Sequence, residues 1–339
     1  MDKPGPRETD LEKQPGEGLP LQLPQQAPDG FRSGFVALIG RPNVGKSTLL
    51  NRLVGEKVAI TSPLAQTTRN RLRGILTTAG AQLVLLDTPG IHKPHHLLGE
   101  RLVKSARGAI GEVDVVLLLV DGSEPAGRGD GFIVELLRHS RAPVLVALNK
   151  SDLVDPARAG ELEASYRELL ALSDRRADPA DPGQTRSGWP LLPCSASTGA
   201  GCPELVEALA ARLPLGPHLY PPDAVSDQPE RLLLAELIRE QVLTLTREEV
   251  PHSVAVQVER IVEDGKRIAV LATVLVERSS QKGILIGKRG QMLKEIGSGA
   301  RAQMQKVFNG PVYLELFVKV VPNWRRNPAR LAELGYRGD

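Results

Sequence analysis

Residues 40–47, Gly40-Arg41-Pro42-Asn43-Val44-Gly45-Lys46-Ser47, directly follow the apolar run of residues 35–39 and decide the fold of this chain. This pattern after a strand predicts a phosphate-binding loop that leads into a helix. Glycine lets backbone N–H groups converge on a polyphosphate. Lys46 is expected to reach the β- and γ-phosphates, and Ser47 to offer its hydroxyl to Mg2+ at the positive end of the helix. The predicted nucleotide contacts are Gly40, Asn43, Val44, Gly45, Lys46, Ser47 and Thr48.

Asn149-Lys150-Ser151-Asp152 follows a second apolar run, residues 143–148, and predicts the element that reads the base. The run is typical of a buried parallel strand, and open α/β sheets bind ligands at the carboxyl ends of such strands. The Asp152 carboxylate can accept hydrogen bonds from N1–H and the exocyclic amine of guanine, a donor pair that adenine lacks. Ser195 and Ala196 are expected to close over the base from the other side, on the order of the motifs alone. The predicted base contacts are Asn149, Lys150, Asp152, Ser195 and Ala196.

Asp87-Thr88-Pro89-Gly90 ends the predicted strand of residues 82–86 and is expected to sense the third phosphate. Asp87 can hold Mg2+ through water, and the Gly90 N–H can contact the γ-phosphate. Either hydroxyl of Thr67-Thr68 could complete the magnesium shell, and Thr68 is favoured; β-propensity is the other explanation of this pair. The predicted catalytic residues are Lys46, Thr68, Asp87 and Gly90, and the predicted metal ligands are Ser47 and Thr68.

The order of these motifs, phosphate loop, Thr-Thr-Arg, D-T-P-G, N-K-S-D and S-A, resembles the translation-factor-related GTPases over residues 35–213, and within them the Era family. The resemblance implies a P-loop NTPase domain with a doubly wound α/β sheet, GTP and GDP as ligands, and Mg2+ as cofactor. Ile91 stands where small signalling GTPases carry a glutamine that orients water, so assistance must come from elsewhere. In related potassium-activated GTPases the residue at Asn43 helps to hold a monovalent cation. A K+ ion that stabilises developing charge is therefore a hypothesis.

Gly287-Lys288-Arg289-Gly290 lies between two helical patterns in the second half of the chain. Strand patterns at residues 254–258 and 268–276 are expected to pair across Asp264-Gly265, and residues 312–320 predict a third strand. The order helix (residues 229–245), strand, strand, helix, G-x-x-G, helix, strand resembles a small α+β K-homology (KH) domain of type II. Apolar spacings of three and four predict the buried face of the second helix: Leu293, Ile296, Ala300, Met304 and Val307.

Charge segregation favours RNA as the ligand of this domain. Residues 278–326 contain ten basic and two acidic residues, a local charge of +8 in a chain whose net charge is +3. Two glycines let backbone lie against the sugar-phosphate of single-stranded RNA; a solvated basic face without a partner is the alternative. Trp324 is expected either to stack on bases or to cap the core. The predicted RNA contacts are Lys282, Gly287, Lys288, Arg289, Gly290, Trp324, Arg325 and Arg326.

The resemblance to the Era family extends through this domain to residues 331–336. In the family, the domain binds the 3′ end of small-subunit ribosomal RNA during ribosome maturation. The resemblance therefore implies a slow GTP-hydrolysing switch that assists maturation of the 30S subunit and is stimulated by RNA or potassium. One alternative is a non-catalytic or very slow GTP-gated RNA-binding scaffold, which the missing glutamine favours. A second is an RNA-modifying GTPase, but the sequence contains no cysteine, metal or cofactor pattern that would support it.

Length and composition fit two domains, because 339 residues exceed one typical core and 41% are hydrophobic. The predicted division is a disordered tail (residues 1–32), a GTPase domain (33–214), a linker (215–228) and an RNA-binding domain with a C-terminal tail (229–339); residues 173–188 are expected to form a mobile loop. The apolar run at residues 115–120 is too short to span a bilayer. Two cysteines outside any metal pattern fit a reducing cytoplasm. We also expect a monomer. Association with the inner face of the cell membrane stays open.

Overall fold

The computed structural model describes residues 27–62, 72–91, 108–138, 140–174, 188–264 and 267–334. The helices and strands that lie wholly within these residues are, in chain order, β1 Arg32–Ile39, α1 Lys46–Val54, β2 Leu72–Thr77, β3 Ala81–Asp87, β4 Val115–Asp121, α2 Arg128–Leu137, β5 Val144–Asn149, α3 Ala159–Asp174, β6 Leu191–Pro193, α4 Cys202–Ala210, α5 Glu230–Leu245, α6 Val250–Ser253, β7 Ala255–Asp264, β8 Arg267–Val276, α7 Ser279–Ile286, α8 Gln291–Phe308, β9 Val312–Val320 and α9 Pro328–Glu333. Short 3-10 turns lie at Ser151–Leu153, Lys288–Gly290 and Trp324–Arg326.

The first sheet has the strand order β2-β3-β1-β4-β5-β6. Only the β2–β3 pair is antiparallel; the other neighbours run parallel. Every residue of β3, β4 and β5 is buried, as expected for strands that are covered on both faces. The predicted doubly wound α/β architecture is confirmed. The loops after β1, β3 and β5 carry the phosphate loop, D-T-P-G and N-K-S-D, so the parallel strands bring all three motifs to one edge of the sheet.

The second sheet has the order β7-β8-β9, with an antiparallel β7–β8 pair and a parallel β8–β9 pair. Helix α8 buries Ile296, Ala300 and Met304 in the core of this domain, so the predicted KH architecture is confirmed. The prediction for Val307 was wrong. Its side chain is 40% exposed, and Phe308 packs against the core instead. The apolar stripe continues from Met304 by a step of four residues, which the 3.6-residue repeat of a helix allows as readily as a step of three.

The predicted N-terminal tail, residues 1–32, extends too far along the chain. Phe31 is only 3% exposed, and the centroid of its ring lies 4.4 Å from that of His218. Arg32 already belongs to β1, and its N–H donates to the carbonyl of Gly80 at 3.1 Å. A single buried aromatic next to a strand produces no periodic pattern, and the sequence therefore did not show it. Residues 1–26 of the predicted tail lie outside the described residues.

The segment predicted as a linker, residues 215–228, packs against the first sheet, and its last residues run along the edge strand β2. The N–H of Ile75 donates to the carbonyl of Val225 at 2.9 Å, and the Ser226 hydroxyl donates to the carbonyl of Arg73 at 2.7 Å. The Arg73 guanidinium also forms a 2.6 Å ion pair with Asp227. The segment therefore adds a short stretch of strand-like pairing to the edge of the sheet.

Two further expectations concern the loop after α3 and a possible membrane-spanning helix. The predicted loop at residues 173–188 begins too early, because α3 continues to Asp174; residues 175–187 lie outside the described part. Within the described ranges, no helix combines the length and the apolar character that a membrane crossing requires.

Candidate functional site

Close backbone approach shapes the phosphate loop. Gly45 has φ 99° at the start of α1, a conformation that favours glycine. A Cβ at this position would overlap the side-chain amide of Asn149, and a Cβ at Gly90 would lie 2.8 Å from the backbone nitrogen of Pro42. The N–H of Ile91 donates to the carbonyl of Gly40 at 3.2 Å. D-T-P-G and the phosphate loop therefore pack backbone against backbone, and side chains would fill the cradle between them.

Lys46 is buried within this loop, with 6% of its surface exposed. Its Nζ donates to the carbonyls of Arg41 at 2.9 Å and Gly40 at 3.2 Å. Burial lowers the pKa of Lys46 to about 8, and the charge of Asp87 opposes this shift. The ammonium group therefore lies inside the cradle, where the sequence placed it for contact with phosphate.

Ser47 and Asp87 meet at the carboxyl end of β3. The Ser47 hydroxyl donates to Asp87 Oδ2 at 2.6 Å, although 40 residues separate the two in sequence. Hydroxyl and carboxylate oxygens are ligands that suit the hard cation Mg2+, so the donor set fits the predicted metal. Thr67 and the favoured metal ligand Thr68 lie outside the described residues.

Asn149 joins three of the predicted motifs. Its amide nitrogen donates to the carbonyl of Val44 at 2.7 Å, and its Oδ1 accepts from the N–H of Ala196 at 2.9 Å. The Ser195 hydroxyl donates to Asp152 Oδ1 at 2.5 Å, and the remainder of Asp152 is exposed. The structure thus brings Ser195 and Ala196 to N-K-S-D and the phosphate loop, as the order of the motifs suggested.

The sequence analysis missed Asp121, which ends β4 beside this site. Its carboxylate forms a 2.5 Å ion pair with Lys150 and accepts from the N–H and hydroxyl of Ser123. Burial by itself raises the pKa of Asp121, but the bonds from Lys150 and Ser123 outweigh burial and lower it. Lys150 has φ 66°, so the ion pair stabilises a left-handed backbone inside N-K-S-D. An aspartate directly after a buried strand was the available signal.

Ile91 stands at the position where small signalling GTPases carry a glutamine, and its side chain belongs to the core. It is 3% exposed and packs in the cluster that contains Ala37 and Ile39. The residue therefore cannot orient a water molecule. This agrees with the expectation that help in hydrolysis comes from another group.

The G-x-x-G tetrad connects α7 to α8 and projects two cations into solvent. Gly287 and Gly290 have φ 69° and 78°, and a Cβ on Gly287 would lie 2.7 Å from the Cβ of Met292. Lys288 and Arg289 between them are exposed. Their charges stand at the amino end of α8, where the helix dipole also favours an anion. The predicted contact Lys282, on α7, is partly buried.

Trp324 does not form the stacking surface that was one of its two predicted roles. The indole is fully buried, donates from Nε1 to the carbonyl of Ser253 at 2.9 Å, and packs with Leu331 of α9. The core-capping interpretation is the one that the structure shows. Arg325 pairs with Glu277 and with the carbonyl of His252, whereas Arg326 is exposed; the phosphate contacts of both arginines stay predictions. Helix α9 covers the indole, and local sequence gave no indication of this.

Two protein families match the halves of the chain that contain these sites. The family described as 50S ribosome-binding GTPase matches residues 35–150, and the family described as KH domain matches residues 249–325. The first range includes the phosphate loop, D-T-P-G and the start of N-K-S-D. The second includes the G-x-x-G tetrad.

Relatives and solved structures match both halves together. GTPase Era of Synechocystis sp. is 57% identical over 92% of this chain and 95% of the relative, and GTPase Era of Nostoc sp. is 58% identical over 92% of both. The structure of an Era in complex with MgGDPNP and nucleotides 1506–1542 of 16S ribosomal RNA has a TM-score of 0.81 and 40% identity, over 90% of this chain and 99% of that one. An Aquifex aeolicus Era variant bound to GDP and aluminium fluoride has a TM-score of 0.80 at the same identity and coverage. The chain belongs to the Era family of GTPases.

Proposed function

We propose that this GTPase uses GTP binding and hydrolysis to control its grip on the 3′-terminal region of small-subunit ribosomal RNA, and so assists maturation of the 30S subunit. One observation carries the proposal: the solved Era that holds both a GTP analogue and a 16S RNA segment matches this chain along 90% of its length. On this chain we assign the nucleotide to the phosphate loop and the RNA to the surface around the G-x-x-G tetrad.

In the nucleotide site, each group of the chain has a separate task. The backbone around Gly45 holds the phosphates, Lys46 neutralises their charge, and Asp152 reads the guanine. Ser47, with Asp87 acting through water, would hold Mg2+, which when bound supplies positive charge to the phosphate oxygens. Thr68 is proposed to complete this shell.

In the RNA-binding domain, Lys288 and Arg289 are proposed to contact phosphates of single-stranded RNA. Their exposure and the glycine backbone beside them support this assignment. Lys282 and Arg326 are proposed to add charge at the margins of the same surface. Because ribosomal subunits mature in the cytoplasm, we place the protein there as a monomer. Cell fractionation would test whether part of it also associates with the inner face of the membrane.

The test of the main proposal is the binding of a synthetic RNA with the sequence of the 3′ end of the organism's own small-subunit RNA. We expect tighter binding with a non-hydrolysable GTP analogue than with GDP, since occupancy of the two sites is proposed to be positively coupled. A scrambled RNA of equal length is the control. Equal affinity for both RNAs would contradict the assigned partner, and equal affinity in both nucleotide states would contradict the coupling.

A second candidate function, a GTP-gated scaffold that barely turns over, is favoured by the burial of Ile91. Single-turnover hydrolysis with and without immature small subunits separates the two. Stimulation by the subunits supports the switch, and a rate that stays near the basal value in both conditions supports the scaffold.

The role of potassium is tested on the same reaction. Asn43 is exposed in the phosphate loop and has φ 65°. If a cation near Asn43 stabilises the developing charge, hydrolysis is faster in potassium than in sodium at equal ionic strength, and Asn43→Ala removes the difference. Identical rates in the two salts would refute the hypothesis.

A further inference from the structure

A short segment after α1 enters the core of the other domain. Ile60 is 1% exposed and belongs to the hydrophobic cluster formed by α5, α8 and the second sheet. The rest of that cluster, among the described residues, comes from residue 233 onward. Lys57 and Thr61, on either side of Ile60, contact the same domain. The segment of residues 57–61, called here the bridging segment, therefore lies between the two domains.

Glu240 of α5 is the polar anchor of the bridging segment. Its carboxylate accepts from Lys57 Nζ at 2.5 Å and from the backbone N–H of Thr61 at 2.9 Å. Only 4% of Glu240 is exposed. A buried carboxylate is costly without partners, and both of these donors come from the other domain. The position of the bridging segment and the position of α5 are therefore tied together.

On its other side, the bridging segment is fastened to α1. Asn51 Oδ1 accepts from the N–H groups of Val58 and Ala59 at 3.0 and 2.9 Å, and Asn51 Nδ2 donates to the carbonyl of Ala59 at 2.7 Å. Helix α1 begins with Lys46 and Ser47 of the nucleotide site. A movement at the phosphate end of α1 can therefore reach the bridging segment through the Asn51 bonds and through Val58 and Ala59, which pack in the core cluster of α1.

Two contacts continue the connection to α8, the helix that the G-x-x-G tetrad precedes. Lys57 Nζ also donates to Gln303 Oε1 of α8 at 3.1 Å. Helices α5 and α8 pack closely: there is no room for a side chain at Gly299 of α8, where a Cβ would overlap the side chain of Gln241 of α5. The contacts run from α1 through Asn51 to the bridging segment, and Lys57 of that segment contacts both Glu240 of α5 and Gln303 of α8.

We infer that Glu240 is a positioning residue that couples the nucleotide site to the RNA-binding surface by holding the bridging segment against α5. The inference rests on the proposed function, since it names the residue through which GTP changes RNA affinity. Within the described part of the chain, the hydrogen bonds of the Glu240 carboxylate go to Lys57 and Thr61 and to no residue of the phosphate loop or the G-x-x-G tetrad. Its loss should leave each site able to bind its own ligand and should weaken only their dependence on one another.

The experiment compares the full-length chain with Glu240→Gln and Lys57→Met. Glutamine keeps an oxygen for Thr61 and loses the charge that pairs with Lys57. For each protein we measure the affinity for the 3′-terminal RNA with a non-hydrolysable GTP analogue and with GDP. The ratio is the affinity with the GTP analogue divided by the affinity with GDP. We expect both substitutions to reduce the wild-type ratio at least threefold, while hydrolysis without RNA changes less than twofold. Both variants remove the same ion pair between Lys57 and Glu240. The double variant should therefore reduce the affinity ratio no more than either single variant.

Two controls separate coupling from folding. Glu333→Gln removes an exposed ion pair with Arg330 in the same domain and should keep the wild-type ratio. Lys57→Arg preserves the charge and should keep it as well. Lys57 has a 38% exposed side chain, so Lys57→Met carries the test if Glu240→Gln does not fold.

The outcomes distinguish the inferred role of Glu240 from the proposed coupling of GTP and RNA binding on which it rests. A ratio near one in the wild type would contradict the proposed coupling itself, and the inference with it. A clear wild-type ratio that survives in the folded Glu240→Gln and Lys57→Met proteins would overturn the inference alone. A reduced ratio with unchanged RNA affinity in the GDP state would support it.

Discussion

The phosphate loop and the G-x-x-G loop use the same backbone device and differ in how they meet solvent. Each contains a glycine with positive φ directly before a helix, Gly45 before α1 and Gly290 before α8. At Gly45 the space for a side chain is filled by Asn149, whereas no heavy atom lies within 4 Å of a Cβ at Gly290. The same conformational requirement thus serves an enclosed site in one domain and an open one in the other.

The cations of the two loops follow this difference. Lys46 is buried and bonded to carbonyls of its own loop, while Lys288 and Arg289 are exposed. An enclosed site recognises its ligand through shape, so small steric changes should destroy binding. An open site recognises its ligand through charge, so its affinity should fall gradually and depend on salt.

The largest effect is expected for Gly45→Ala. A left-handed backbone costs an L-residue about 1–2 kcal/mol, and overlap with Asn149 adds to this cost. GTP affinity should fall by about 100-fold or more, since each 1.4 kcal/mol is about tenfold. Calorimetric titration of GTP with magnesium measures the loss. Gly55→Ala is the matched control, because Gly55 has φ 86° after α1 with open space around it; equal losses in both variants would contradict the enclosed-site interpretation.

Next in size is the expected loss of RNA affinity in Arg289→Glu, about tenfold at physiological salt. The slope of log affinity against log salt should become shallower, by about 0.7 for each single-strand phosphate contact that is lost. Hydrolysis without RNA should not change. Arg158→Glu, an exposed position in the other domain, makes the same change in net charge. If it weakened RNA binding as much, general charge and not the tetrad would explain the affinity.

Trp324→Phe tests whether Trp324 belongs to the protein core or to the RNA-binding surface. Removing the Nε1–H bond to Ser253 and part of a buried ring should lower the free energy of unfolding by about 1–3 kcal/mol. Chemical denaturation measures this loss, and RNA affinity below the transition should stay at the wild-type value. Unchanged stability together with weaker RNA binding would restore the stacking role.

The smallest effect is expected for Gly290→Ala. Only the backbone strain of about 1–2 kcal/mol applies here, and part of it lowers stability rather than binding, so RNA affinity should fall less than about tenfold. Titration with the same RNA provides the number. A loss as large as that of GTP in Gly45→Ala would mean that the tetrad is as tightly enclosed as the phosphate loop when RNA is bound.

The sequence predicted the strands well because buried strands are continuous apolar runs. The run at residues 115–120 became β4, Val115–Asp121, and the third strand of the second sheet was found at the predicted positions, Val312–Val320. The nucleotide motifs were equally readable, since phosphate binding requires glycines, lysine and hydroxyls at fixed spacing. Ser47 and Asp87 meet as expected for that reason.

Features that depend on contacts distant in sequence were not readable. Glu240 lies in the predicted helix of residues 229–245, but nothing in that pattern points to Lys57, which is 183 residues away. Trp324 beside two arginines has the composition of an RNA contact, and only the packing of α9 shows that it is buried. Local sequence reports a residue's chemistry, whereas its exposure is set by segments that arrive from elsewhere in the chain.

The segment along β2 has a consequence for how the two halves of this chain can exist. Strand β2 ends the first sheet, and its outer backbone groups are met by Val225 and Ser226. If the chain were cut after residue 214, that edge would present unsatisfied donors and acceptors to any neighbouring molecule, the usual starting point for aggregation. An isolated first half would therefore be prone to aggregate through β2. The segment that joins the two domains also covers this edge strand and so protects the first domain from aggregation.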